Sequence, residues 1–189
     1  MRVVAEATVD EMVATFLVAE LRSSRFGASV RATLRTLGAD LDLVERPDLT
    51  DPVGDALRRT VLAAYRGFPD REVFTGVPAD TRWQHVLLTP ADLDSIRYIN
   101  WDWWLEVTGG SRRPTDALGH YRTDPLCQAI VARIATGHLP PPIIVVGRPG
   151  PTDLVVLEGH LRLTAMLLAR ADLPPDIPAV LGTSPDMNR

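Results

Sequence analysis

The chain of 189 residues contains no lysine; all 20 of its basic residues are arginine. That absence excludes a P-loop lysine, a Schiff-base lysine and a lysine general base. Any phosphate clamp must use arginine, backbone N–H groups or a metal ion. Cysteine is almost as scarce. Cys127 stands alone, so no intrachain disulfide, CxxC site or cysteine-rich zinc site can form, which fits a reducing, cytoplasmic setting. The first residues lack a basic segment, and Glu6, Asp10 and Glu11 interrupt their apolar residues, so no secretory signal is expected. No apolar run reaches the roughly 20 residues needed to span a bilayer, and no membrane partner is expected. The four histidines, at 85, 120, 138 and 160, show neither HxH nor HExxH spacing, which argues against a structural zinc site. Excess positive charge is also missing. The formal net charge of −4 argues against nucleic acid as a partner gripped by the whole surface.

What is present reads as an ordinary globular composition, 46% hydrophobic and 23% charged, long enough for one compact domain or two small ones. In "VDEMVATFLVAELRSSRFG", Met12, Val13, Phe16, Leu17 and Leu21 recur at helical spacing, with Thr8 or Asp10 as cap. A second helix is expected over 28–37, ending at Gly38, and a third after Asp51-Pro52, stopped by Gly67. "LDLVERPDLTDP" reads as a connector. The prolines and glycine of 68–82 mark a boundary, so residues 1–82 read as a helical N-terminal region and 83–189 as a second unit. The second unit reads as a strand at "WQHVLLT", a helix in "PADLDSIRYI", a helix from Asp124-Pro125 to Ala135, strands at 142–147 and 153–158 joined by "RPGPT", a helix "HLRLTAMLLARA" and a closing strand "IPAVLG". The expected class is α+β.

The chemistry concentrates at "VVLEGHLRLTAMLLA". Val155, Val156 and Leu157 read as a buried strand, and Leu163 to Leu168 as the inner face of a helix. Gly159 between them allows close backbone approach. The first turn of the helix offers free N–H groups and a positive dipole end, a ready anion site. Arg162 can add a bidentate contact. His160 can donate, accept or bind metal. Glu158 is placed to serve as a general base or a magnesium ligand. The bland alternative is a Glu–Arg surface ion pair with His160 capping the helix.

"PPIIVV…DLVVLEGHLRLTAMLLA…IPAVL" resembles the ParB/sulfiredoxin-like fold, whose members share a strand ending in an acid–Gly–x–x–Arg corner, an alanine-containing helix and a closing strand. The clear likeness covers about residues 123–182, a weaker one reaches back to about Trp83, and 1–82 lie outside it. Sulfiredoxin chemistry needs a cysteine in the corner, and this corner has none. Partition ParB proteins carry an arginine-rich corner, a second phosphate motif and a helix-turn-helix domain downstream, and neither downstream element is expected here. The free-serine kinase branch has an acid–Gly–His–His–Arg corner, and "EGHLR" is nearest to it, with Leu161 in place of the second histidine. The resemblance implies a nucleotide (ATP, ADP or CTP) with Mg²⁺. Gly159, His160, Leu161 and Arg162 would then hold phosphates, and Glu158 would bind metal or work with His160 as an acid/base group. An upstream acid would serve as base.

Two further segments bear on that expectation. If "NWDWWLEV" is helical, Asp102 and Glu106 share one face and Trp101, Trp104 and Leu105 another. Either acid would be the candidate base, and the tryptophans would stack on a base or sugar or else pack in the core. "TGGSRR" reads either as a loop that wraps phosphates with its backbone and with Arg112 and Arg113, or as a solvated turn. The expected function is a nucleotide-dependent phosphotransferase acting on a small hydroxylated metabolite. The alternative is a nucleotide-gated regulatory module whose helical N-terminal region docks a partner or a second copy. A DNA-binding or nuclease protein comes third.

Overall fold

Short polar side chains open the main helices by accepting from N–H groups that a first turn leaves free. Thr8 accepts from Glu11 N while the Glu11 carboxylate accepts from Thr8 N, and this capping box starts α1 (Val9–Leu21). α2 (Gly27–Thr36) and the short α3 (Asp42–Glu45) follow. Asp51 accepts from Val53 N ahead of Pro52 and opens α4 (Pro52–Arg66), which a left-handed Gly67 closes. α5 (Asp102–Val107) and α6 (Leu118–Tyr121) are single turns and a little more. Asp124 caps α7 (Pro125–Ala135) through Cys127 N, and α8 (His160–Leu168) begins directly after Gly159. The computed structural model describes residues 1–150 and 153–189, so Pro151 and Thr152 of the expected "RPGPT" turn lie outside the described residues.

The chain is an α+β protein built on one mixed sheet. Its strands are β1 (Arg2–Ala7), β2 (Arg82–Leu88), β3 (Ile96–Arg97), β4 (Ile143–Gly147), β5 (Leu154–Glu158) and β6 (Ile177–Thr183), in the spatial order β1-β2-β6-β4-β5-β3. β6 runs parallel to β4 and β3 parallel to β5, and the remaining pairs are antiparallel. β4 and β5 are buried along their whole length, as their unbroken apolar runs require. α8 packs on β4 and α7, while α1 packs against α2, α3 and α4. Phe16 of α1 meets Phe74 with ring centroids 5.6 Å apart, and the buried residues of the N-terminal helices and of the sheet join in one continuous core.

Three segments depart from the expectation. Asp42–Glu45, within the expected connector, form the short helix α3 with Val44 buried. Residues 2–7, expected within a helical lead-in, form β1 and pair with β2, so the N-terminal part contributes a strand to the same sheet as residues beyond 82. "PADLDSIRYI" is not a helix. Asp92 accepts from Thr89 N and closes a single 3-10 turn, after which Ile96 and Tyr98 are buried and Arg97 exposed. That two-residue period is a strand's, and a helix cannot satisfy it. Among the described residues no helix is long and apolar enough to cross a membrane.

Gly182 of β6 lies opposite Trp83 of β2. A Cβ there would stand 2.6 and 2.8 Å from the Trp83 ring. Gly182→Ala should therefore destabilise the fold by about 1–3 kcal/mol, the usual range for overpacking, and lower the midpoint of urea unfolding. An unchanged midpoint would mean that the indole moves aside freely.

Candidate functional site

The corner at 158–162 is built by one buried arginine. Glu158 Oε2 and Arg162 Nη2 are in direct ion contact, with side chains only 10% and 11% exposed. Arg162 Nη1 also donates to the carbonyls of Pro141 (2.7 Å) and Pro142 (2.8 Å). The guanidinium thus ties the end of β5, the first turn of α8 and the approach to β4 together. Gly159 makes room for it. At φ +99° the backbone is in a region that favours glycine, and a Cβ would lie 2.7 Å from Ile143 and 3.0 Å from the guanidinium. Burial lowers the Arg162 value to about 10, against the pull of the Glu20 charge, so the group stays protonated at neutral pH.

This geometry changes the roles expected of four residues. Arg162 Nη1 is committed to two backbone carbonyls, and Arg162 Nη2 and Glu158 Oε2 are held against each other as an ion pair. Gly159 is needed for packing. Leu161 is half-buried against the hydrophobic core, which accounts for an apolar side chain at that position. Nor does the corner fit a magnesium ion. Among the described residues no three His, Cys, Asp or Glu side chains gather to hold a metal, and Glu158 is spent on the ion pair.

His160 points elsewhere. Its ring stacks on Trp104, with centroids 4.9 Å apart and planes 9° apart, and Trp104 stacks on Tyr98 at 4.1 Å. Thr164 Oγ1 donates to the His160 carbonyl at 2.9 Å and in turn accepts from the Tyr98 hydroxyl. His160 Nε2 is buried without a hydrogen-bond partner. Burial, and then the charges of Arg189, Arg66 and Arg25, hold the imidazole down to about 3. The charges of three arginines thus act on His160.

The arginines come from far apart in the chain. Arg66, at the end of α4, donates from Nη2 to Glu20 Oε2 at 3.0 Å and lies over the rings of Phe26 (4.3 Å) and Tyr65 (4.6 Å). Arg25, in the turn between α1 and α2, covers the same Phe26 ring at 4.9 Å. Arg189 donates to the Val73 carbonyl, and burial followed by the nearby Arg112 charge lowers it to about 10. Arg112 is delivered by the "TGGSRR" loop. Its Nε donates to the Tyr98 carbonyl at 2.8 Å, and Tyr98 N donates back to the Arg112 carbonyl at 2.8 Å. Arg66 Nε, Arg112 Nη2 and Arg189 Nε are, like His160 Nε2, buried and unpartnered. Glu20, drawn to Arg66, is the one carboxylate in hydrogen-bond contact with these arginines among the described residues.

Of the residues expected at the site, His160 and Arg112 thus fall within this arginine cluster. Arg113, Gly109 and Gly110 are exposed, and so are Asp102 and Glu106, neither of which has a polar partner among the described residues. Trp104 belongs to the core and stacks on His160, while Trp101 and Trp103 are exposed, with Trp103 Nε1 donating to the Tyr121 hydroxyl at 3.2 Å. Cys127 is buried, which pushes its thiol up to about 11, as a core thiol requires. Arg25, Arg66, Arg189 and Glu20 carried no local signal in the sequence. A surface cleft of about 270 Å³ lies apart from the cluster, between α1 and the prolines 47, 141 and 142, with Glu11 and His85 among its lining residues.

Two outcomes follow from this geometry. Arg162→Met, which leaves the Glu158 charge buried and alone, should cost roughly 3–5 kcal/mol, and adding Glu158→Gln should recover part of that loss. Chemical denaturation of both variants checks the cycle, and equal losses would mean that the pair does not matter as a pair. His160 binds a proton less readily in the fold than its ordinary 6.5 allows. The unfolded chain therefore takes up a proton first as pH falls below 6.5, and stability drops by up to about 1.4 kcal/mol per pH unit. His160→Gln should flatten the wild-type stability profile between pH 6.5 and 5, and a variant with the same slope as wild type would contradict the assignment. No protein-family model, curated protein or solved structure matches the chain.

Proposed function

We propose that this protein binds a phosphoryl-bearing anion, a nucleotide being the favoured class, at the arginine cluster between its N-terminal helices and the corner of β5 and α8. The carrying observation is the set of four buried, unpartnered nitrogens on Arg66, Arg112, Arg189 and His160, gathered in a chain whose net charge is −4. Such groups lose their hydration without gaining a partner, at about 1–3 kcal/mol each or more when charged. Like charges about 4 Å apart repel by about 4 kcal/mol at an effective dielectric near 20. An anion with several oxygens reverses both costs at once. Guanidinium N–H groups suit phosphate oxygens. The stacked rings of His160, Trp104 and Tyr98 supply a flat apolar wall for the rest of the ligand. The resemblance of "EGHLR" to the phosphate-handling corner of ParB/sulfiredoxin-like proteins supports the same reading.

Binding is favoured over turnover. Glu158 is tied to Arg162, and Asp102 and Glu106 stand in solvent, so no carboxylate of the expected set is free at the pocket. The protein then works as a nucleotide-gated module, in which the ligand bridges Arg25 and Arg66 of the helices to His160 and Arg112 beside the sheet. Phosphoryl transfer to a small hydroxylated acceptor is the second reading. One observation favours it, the buried Nε2 of His160 that has no hydrogen-bond partner; the imidazole would serve as a base only once a bound anion offsets the arginine charges that help hold it down to about 3.

Calorimetry with pyrophosphate, ATP, ADP and CTP tests the proposal, with adenosine as the uncharged control. Pyrophosphate and the nucleotides should bind, adenosine should not, and Arg66→Ala and Arg189→Ala should each weaken binding about tenfold or more. Binding unaltered by either substitution would sink the assignment of the pocket. Transfer of phosphate to an acceptor, abolished by His160→Asn, would decide for the second reading.

A further inference from the structure

Glu20 is 96% buried on α1, beside Tyr65 and Arg66 of α4, in a position where a carboxylate needs a reason. Its Oε2 accepts both from the Tyr65 hydroxyl and from Arg66 Nη2, and its charge also acts on Arg162. Arg66 would otherwise be a long, mobile side chain at the end of a helix. With Nη2 held by Glu20 and the guanidinium plane laid over Phe26, its Nε is left buried and unpartnered. From these contacts we infer that Glu20 is a positioning residue for anion binding. It fixes the guanidinium of Arg66 through Nη2, leaving Nε as the nitrogen without a protein partner for the ligand, and Tyr65 fixes Glu20 in turn. This inference rests on the phosphoryl-anion pocket proposed above.

The inference has a sign that separates it from simple electrostatics. A carboxylate beside an anion site repels the anion, so removing its charge should tighten binding by the field alone. Positioning requires the opposite wherever the acceptor is lost. Glu20→Leu keeps the apolar volume and removes the acceptor, whereas Glu20→Gln removes the charge and keeps an acceptor oxygen.

The experiment is pyrophosphate titration of the full chain by calorimetry, paired with the Arg66 Nε–H signal in nitrogen-15 NMR spectra without ligand. Glu20→Leu should weaken pyrophosphate binding about tenfold, the worth of one charge-assisted hydrogen bond, and Glu20→Gln should stay within about threefold of wild type. The Arg66 Nε–H signal should persist in wild type and Glu20→Gln and disappear in Glu20→Leu. Tighter binding in either neutral variant would overturn the inference in favour of the field. If Glu20→Leu does not fold, Glu20→Gln alone decides by that same criterion. In an Arg66→Ala background, Glu20→Gln should leave affinity unchanged or raise it, because nothing remains to be positioned. A further weakening there would also overturn the inference. If wild type does not bind pyrophosphate, the pocket proposal fails, and the NMR comparison still tests whether Glu20 holds Arg66.

Discussion

The Glu158–Arg162 ion pair is the contact on which the candidate site depends. Two charges removed from water on an apolar corner are tolerable only because each has the other and Arg162 has two further carbonyls, from Pro141 and Pro142. The guanidinium lies close against the turn, where a Cβ would crowd it, and Gly159 supplies both that room and the positive φ. Once the backbone turns there, the next residue is thrown to the opposite side. His160 is thereby set against Trp104, away from the ion pair. The corner is thus less a cradle than a hinge pin, and its consequence is the direction of the histidine.

That direction matters because of the charges waiting on the other side. A chain with more acids than bases still brings Arg25, Arg66, Arg112 and Arg189 into one region. Arginine makes this possible. Its delocalised, weakly hydrated plane can be half-buried and laid over aromatic rings, as Arg25 and Arg66 are over Phe26. A lysine ammonium would resist the same burial by losing its proton. The lysine-free composition is therefore consistent locally with a pocket whose cations must stay charged while partly dehydrated.

Much of the fold was legible because it rests on local physics. Asp51-Pro52, Asp124-Pro125 and Gly67 bound their helices as side-chain caps and a left-handed stop do anywhere. The apolar runs of β4 and β5 read as fully buried strands. The short strand β3 was missed because Ile96-Arg97 is defined by pairing with β5 and not by its own length. β1 was missed for the same reason, since its side chains are largely exposed and only β2 makes it a strand. The corner itself was visible as a Glu–Gly–His–x–Arg spacing, but the spacing fits a phosphate seat and an ion pair equally well. Burial decides between them, and sequence periodicity does not report the burial of a polar group. Arg25, Arg66 and Arg189 converge only through tertiary packing, so no window of sequence contains them.

The two walls of the pocket are held in different ways, and the difference bears on what a ligand does. On the sheet side, Arg112 is locked by reciprocal bonds with the Tyr98 backbone, and His160 is fixed by the first turn of α8 and by stacking. On the helix side, Arg25 and Arg66 hang from the ends of helices, restrained by one aromatic ring and by the Glu20 carboxylate. Uncompensated repulsion across the pocket falls hardest on the less anchored wall. In the proposed complex, an anion held by both sides would offset that repulsion and would restrain Arg25 and Arg66 more than it restrains Arg112 and His160.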